Sequence, residues 1–187
     1  MQSSLSPEKH RSDSQTQQNL EEVIFGQLNS IYCLSKQLGN AVLENKKYQK
    51  DLNSPAFQVD FFNVEKKIFG EIYACSFPLK SGHIRKIKSD ILKLLSIEKL
   101  FGESIHKYLI LTVFDEKEAQ RSEIFYSHEF NNEQFNKLGI KSWFNKAIEI
   151  FEIKVFYYNL SFDQYTILTN TRIKQKLGMQ TGKNDIA

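Results

Sequence analysis

Cysteine is almost missing from this 187-residue chain: only Cys33 and Cys75 occur, with no CxxC spacing. That excludes a disulfide framework and a structural zinc site, and it points to a reducing, cytoplasmic setting. Glycine (8) and proline (3) are scarce, which excludes a collagen-like chain. No apolar run approaches the roughly 20 residues of a membrane span, and the polar N-terminal stretch has no apolar signal segment, so no membrane partner is expected. A dominant charge is also lacking, with 25 Lys and Arg against 22 Asp and Glu. Such a balance names no partner, so local charge placement has to do so. What the chain does have is aromatic bulk, fifteen Phe and eight Tyr within 41% hydrophobic residues. That excludes a wholly disordered chain and a coiled-coil rod. The length suits one domain, which buries roughly 70% of the surface its unfolded chain exposes.

Residues 1–17 contain five Ser and no aromatic residue, and read as a disordered leader. One domain is expected over 18–178 and a flexible tail over 179–187. Apolar residues from Leu20 to Val42 recur three or four apart, which predicts a long helix over 19–48 with Asn19 as N-cap. Two strands are expected at 56–64 and 67–77, joined by a tight turn at Glu65-Lys66. A helix follows over about 83–100, with Ile84, Ile87, Ile91, Leu94 and Leu95 as its apolar stripe. The wholly apolar run 108–114 predicts a strand buried on both faces. A helix over 142–151 and a strand over 153–158 complete the expected core, whereas 162–177 reads equally as strand or helix. The order predicts an α/β fold, a mixed sheet with helices on both faces.

One constellation in this frame has chemical logic. Asp60 lies in the first strand and Glu71 in the second, with ten residues between them. Pairing of the two strands as a hairpin lets the carboxylates converge, an oxygen site suited to Mg²⁺ or Mn²⁺. Along the next helix, a 100° step puts His83, Lys86, Asp90 and Lys93 on one stripe. With Lys80, Arg85 and Lys88 they form the most basic stretch of the chain, suited to holding a polyanion. The ordinary alternatives are solvated acids on a strand and a solvated helix face with a Lys86/Asp90 pair. Trp143 and the cluster Phe156, Tyr157, Tyr158 could stack on bases, but aromatics so placed usually pack in a core.

Asp60, then Glu71-Ile72-Tyr73, then the helix carrying Arg85-Lys86-Ile87 and Asp90 to Leu94 resemble the PD-(D/E)XK nuclease superfamily over about residues 19–114. The resemblance implies a restriction-endonuclease-like α-β-β-β-α-β core and a Mg²⁺-dependent DNA endonuclease, restriction- or defence-related, with RNA as a further candidate substrate. It makes Asp60 and Glu71 catalytic and metal-binding, and gives Glu21 of the first helix as a third metal ligand; near a helix start, capping is Glu21's ordinary alternative. Lys80, His83, Arg85, Lys86, Lys88 and Lys93 are then the expected nucleic-acid contacts. Two positions depart from the motif: Val59 replaces its Pro, and Tyr73 replaces its Lys. Tyr73 could orient water through its hydroxyl, but it carries no charge at neutral pH. A lysine arriving from the neighbouring helix could replace the motif's Lys, Lys86 first, with Lys80 of the strand-to-helix loop second. Without one, the chain is a catalytically degenerate domain that binds nucleic acid or a protein partner. A homodimer would let two copies cut both strands of a duplex.

Overall fold

The apolar run after His106 forms a central strand, His106–Val113, buried at every position beyond its first residue. The structure, a computed structural model, describes residues 13–28, 43–44, 47–74, 81–114, 124–125 and 142–184. Its elements in chain order are α1 (Asp13–Leu28), β1 (Lys47–Tyr48), β2 (Phe57–Gln58), β3 (Phe61–Asn63), β4 (Ile68–Tyr73), α2 (Ser81–Phe101), β5 (His106–Val113), β6 (Ile124–Phe125), α3 (Ser142–Ile150), β7 (Ile153–Asn159) and α4 (Phe162–Asn184). A mixed sheet runs in the order β3-β4-β5-β7-β6, parallel at β4-β5 and β5-β7 and antiparallel at its two edges. Glu44 extends the β3 edge through an antiparallel bridge to Phe62. No helix among the described residues is long and apolar enough to cross a membrane.

Alternation along the strands divides the core between the two faces of the sheet. Ile72, Ile110, Phe156 and Tyr158 face one way and pack against Leu20, Ile24 and Leu28 of α1 and Leu168 of α4. Tyr73, Leu109, Leu111, Val155 and Tyr157 face the other way, against Ile87 and Ile91 of α2 and Ile148 of α3. A third cluster joins Phe62 and Phe69 to Tyr48 and to Leu94 and Ile97 of α2. Phe156, Tyr157 and Tyr158 are therefore core residues rather than base-stacking ones.

Several expectations are corrected. Residues 13–17 belong to α1, so the leader reading fails there, and Asn19 is an interior helical residue that accepts a hydrogen bond from Gln15. Lys47 and Tyr48 form a strand rather than the end of a long helix. The strand expected over 56–64 divides at a bend at Asp60, because Phe57–Gln58 pairs with β1 while Phe61–Asn63 pairs with β4. The ambiguous segment is helical through Asn184, displacing the tail expected from 179. Its start is a capping box: Ser161 Oγ accepts from the Gln164 N–H at 3.2 Å, and Gln164 Oε1 accepts from the Ser161 N–H at 2.9 Å.

Candidate active site

The β3-β4 hairpin sets the register of the site. Asn63 Oδ1 accepts from the Lys66 N–H at 2.7 Å, and Lys67 adopts a left-handed φ of 52°, closing a turn over 64–67. Phe61 pairs with Gly70 at the end of the ladder, with Asp60 just before it at a bend and Glu71 just after it on β4, on the α2 side of the sheet with Tyr73. The bend at Asp60 turns its carboxyl back toward β4, where Oδ2 accepts from the Ile72 N–H at 2.7 Å.

Asp60 and Glu71 open into one cavity of about 570 Å³, which Glu21 of α1 and Lys86, Asp90 and Lys93 of α2 also line. Of the α2 stripe, Lys86, Asp90 and Lys93 thus line the cavity, with Lys86 exposed at its wall, while His83 lies against the Tyr73 ring and not in the lining. Lys93 Nζ lies 2.6 Å from Glu71 Oε1 and 3.3 Å from Asp90 Oδ1. Lys86 Nζ lies 3.7 Å from Glu21 Oε1 and 4.9 Å from the centre of the Tyr73 ring. Glu21 sits mid-helix, two turns beyond the α1 start, so it caps nothing; the Ala74 backbone N–H donates to it instead.

The cavity is short of positive charge. Burial, with the Asp60 charge adding to it, pushes the Glu71 carboxyl up to about 9 against the pull of Lys93. Burial raises Glu21 to about 7, with Lys86 opposing and Asp60 reinforcing the shift. Burial likewise raises Asp90. For Lys93 burial acts downward, but Glu71 and Asp90 outweigh it and hold the ammonium above its ordinary value. The Lys93 ammonium thus stands between two buried carboxyl groups, those of Glu71 and Asp90.

These shifts set a pH dependence. Folded-state values raised above the ordinary 4.5 mean that the native protein binds more protons than the unfolded chain. The corresponding stability is complete below about 4.5, and is lost as pH rises through about 7 for Glu21 and about 9 for Glu71. Thermal melts of the metal-free protein are expected to show this part of the stability falling from pH 5 to 9, with Glu21→Gln flattening the lower half of the slope.

The expected site is thus assembled in part. Asp60, Glu71, Glu21, Lys86 and Lys93 meet at the cavity. Tyr73, offered as a catalytic group, is buried among Ile87, Ile91 and Leu109 with its ring edge-on to His83 at 5.9 Å, and does not line the cavity. Arg85 and Lys88 are exposed on α2 away from the cavity lining. Lys80 lies outside the described residues. Lys93, expected on nucleic acid, is instead ion-paired within the site, and Asp90 was missed as a site residue although it shares the stripe. Glu21 borders the cavity without joining Asp60 and Glu71 in a three-carboxylate cage: among the described residues no three His, Cys, Asp or Glu side chains are grouped to hold a metal ion. Comparison with known proteins finds no matching family model, no matching curated protein and no matching solved structure.

Proposed function

We propose that the chain is a Mg²⁺-dependent DNA endonuclease of the PD-(D/E)XK kind, in which Lys93 replaces the ammonium absent at Tyr73. The observation that carries this reading is the meeting of Asp60, Glu71 and Lys93 at one open cavity. Within the main sheet the succession α1, β3, β4, α2, β5 supports it in part, matching the helix, hairpin, helix and strand of the order implied by the resemblance, while β1 and β2 form a separate two-stranded sheet.

The donor set fits a hard divalent ion. Mg²⁺ is commonly held by one or two carboxylates with waters and substrate phosphate, and Asp60 and Glu71 are such a pair. A cation beside them would relieve the repulsion that Asp60 imposes on buried Glu71. Bound there, Mg²⁺ supplies Lewis-acid chemistry, neutralising charge on the phosphodiester and acidifying the attacking water. Lys86, exposed at the cavity wall, holds the phosphate as a point charge. Lys93 orients the attacking water through its ammonium. Glu21, with its carboxyl held near neutral pH, is suited to exchanging a proton with the departing oxygen.

One observation favours a second reading, a catalytically silent nucleic-acid-binding domain: an ammonium already neutralises the Glu71 oxygen that a cation needs. That reading requires DNA affinity that falls steeply with salt and survives Glu71→Gln unchanged. Supercoiled plasmid incubated with the purified chain and Mg²⁺ tests the choice. Nicked or linear product is expected, and its absence with both Mg²⁺ and Mn²⁺ across a range of salt removes the nuclease reading.

Cation binding at Glu71 competes with the Lys93 ammonium and with protonation of a carboxyl that burial holds above its usual range. Mg²⁺ affinity is therefore expected to rise from pH 6 to 9, with proton release visible by calorimetry in buffers of different ionisation enthalpy. A pH-independent affinity would contradict this.

A further inference from the structure

The nuclease reading uses Asp60, Glu71 and Lys93 but gives Asp90 no task, although Asp90 is buried and faces the same cavity. Its Oδ1 lies 3.3 Å from the Lys93 ammonium, which is also 2.6 Å from Glu71 Oε1. The geometry points to Asp90 as the positioning residue for Lys93: a second anchor that lets the ammonium yield Glu71 to an incoming divalent cation without leaving the cavity. This inference rests on the proposed function.

The two contacts of Lys93 differ in kind. Asp90 and Lys93 are three residues apart on α2, so their contact belongs to the helix and does not depend on β4. The contact to Glu71 crosses from α2 to β4, and a cation bound at Glu71 competes with it. An ammonium has three donors, so both bonds can exist together and one can lapse while the other holds. Lys93 is only 25% exposed, and a lysine deprived of its sole anion there would have to swing out to water or keep Glu71 from the metal. With Asp90 beside it, the exchange is a shift between two acceptors already in contact. Asp90 in this role acts through Lys93 and is not a metal ligand.

Calorimetric titration of Mn²⁺ into the full chain tests this with Lys93→Met, Asp90→Asn and the double variant. Lys93→Met removes the competitor and is expected to tighten cation binding by about tenfold, while cleavage is lost. Asp90→Asn leaves Lys93 committed to Glu71 and is expected to weaken binding by about tenfold, but by less than about threefold when Lys93 is already Met. Equal weakening in both backgrounds overturns the inference, because Asp90 would then act as a ligand or as a simple charge. The unmodified protein provides a check that does not depend on the variants folding. The Lys93 ammonium should keep a distinct, exchange-protected NMR signal after Mn²⁺ is replaced by diamagnetic Mg²⁺ at saturation, and a signal merging with those of solvated lysines overturns the inference. A parent chain that binds no divalent cation removes the nuclease reading and this inference together. A parent that binds and cuts while the variants show no coupling removes this inference alone.

Discussion

Asp60→Asn is expected to reduce Mg²⁺-dependent cleavage of DNA by at least about a thousandfold, the scale of losing a group that stabilises transition-state charge. Asn has nearly the volume of Asp, and its carbonyl oxygen can still accept from the Ile72 N–H, now 2.7 Å from Asp60 Oδ2. The hairpin should therefore survive, at a cost of about 1 kcal/mol for trading a charged acceptor for a neutral one. What disappears is the negative charge facing the cavity. Removing it also takes away one of the forces that raise Glu71, so the Glu71 carboxyl should ionise at lower pH in this variant. Single-turnover nicking rates and Mn²⁺ calorimetry measure the two effects separately. Cleavage within about tenfold of the parent, under conditions where the parent cuts plasmid, would place the chemistry elsewhere on the chain.

The largest effect on stability is expected from Gly70→Ala. A Cβ at Gly70 would lie 2.1 Å from Cζ of Phe61, the residue directly across the hairpin. The Phe61 ring covers the glycine from β3, is itself fully buried, and meets Tyr108 at a ring-centre distance of 6.4 Å. It cannot retreat without disturbing the packing between the sheet and α1. Overpacking of this kind costs about 2–4 kcal/mol, or roughly 5–15 °C in Tm for a protein of this size. Phe61→Leu combined with Gly70→Ala relieves the clash and should recover part of the loss, which differential thermal melts would show. Phe61 and Gly70 are the pair next to Asp60 and Glu71, so Gly70→Ala should weaken divalent-cation binding as well. A variant melting within 2 °C of the parent, on a scale of about 2–4 °C per kcal/mol, would mean that the ring moves freely.

Which parts of this could be read in advance follows from how local their causes are. The buried strand His106–Val113 and the helix Ser81–Phe101 were legible because their apolar patterns lie within a single element. The closeness of Asp60 and Glu71 was legible because a turn between Asn63 and Ile68 fixes the register as far as Phe61 and Gly70, the pair beside them. A two-residue and a four-residue loop centred on Glu65-Lys66 give the same register, so the opened turn did not disturb it. The segment that forms the helix Phe162–Asn184 reads as strand or helix because β-branched Thr166, Ile167, Thr169 and Thr171 favour a strand while Ile173 to Leu177 looks helical, and the capping box of Ser161 and Gln164 is the local signal for the helix. The bend at Asp60 had no local sign, because Phe57–Gln58 leaves the main sheet only when β1 is there to pair with it.

Periodicity placed Lys86, Asp90 and Lys93 on one stripe of α2 and could go no further, since residues seven apart on a helix are equivalent by angle. Ranking the lysines depends on where along its length α2 crosses β4, and that distance is set by packing between elements. In the folded chain Lys93 meets Glu71, while Lys86 meets Glu21 and the Tyr73 ring. The sequence by itself determined two acids beside the last pair of one hairpin and a basic helix following them. The tertiary structure decided which ammonium joins the acids, that Asp90 shares it, and that Tyr73 is taken up by the core. Side-chain spacing along one element is local geometry, whereas the height at which a helix docks on a sheet is fixed only when their apolar faces interlock.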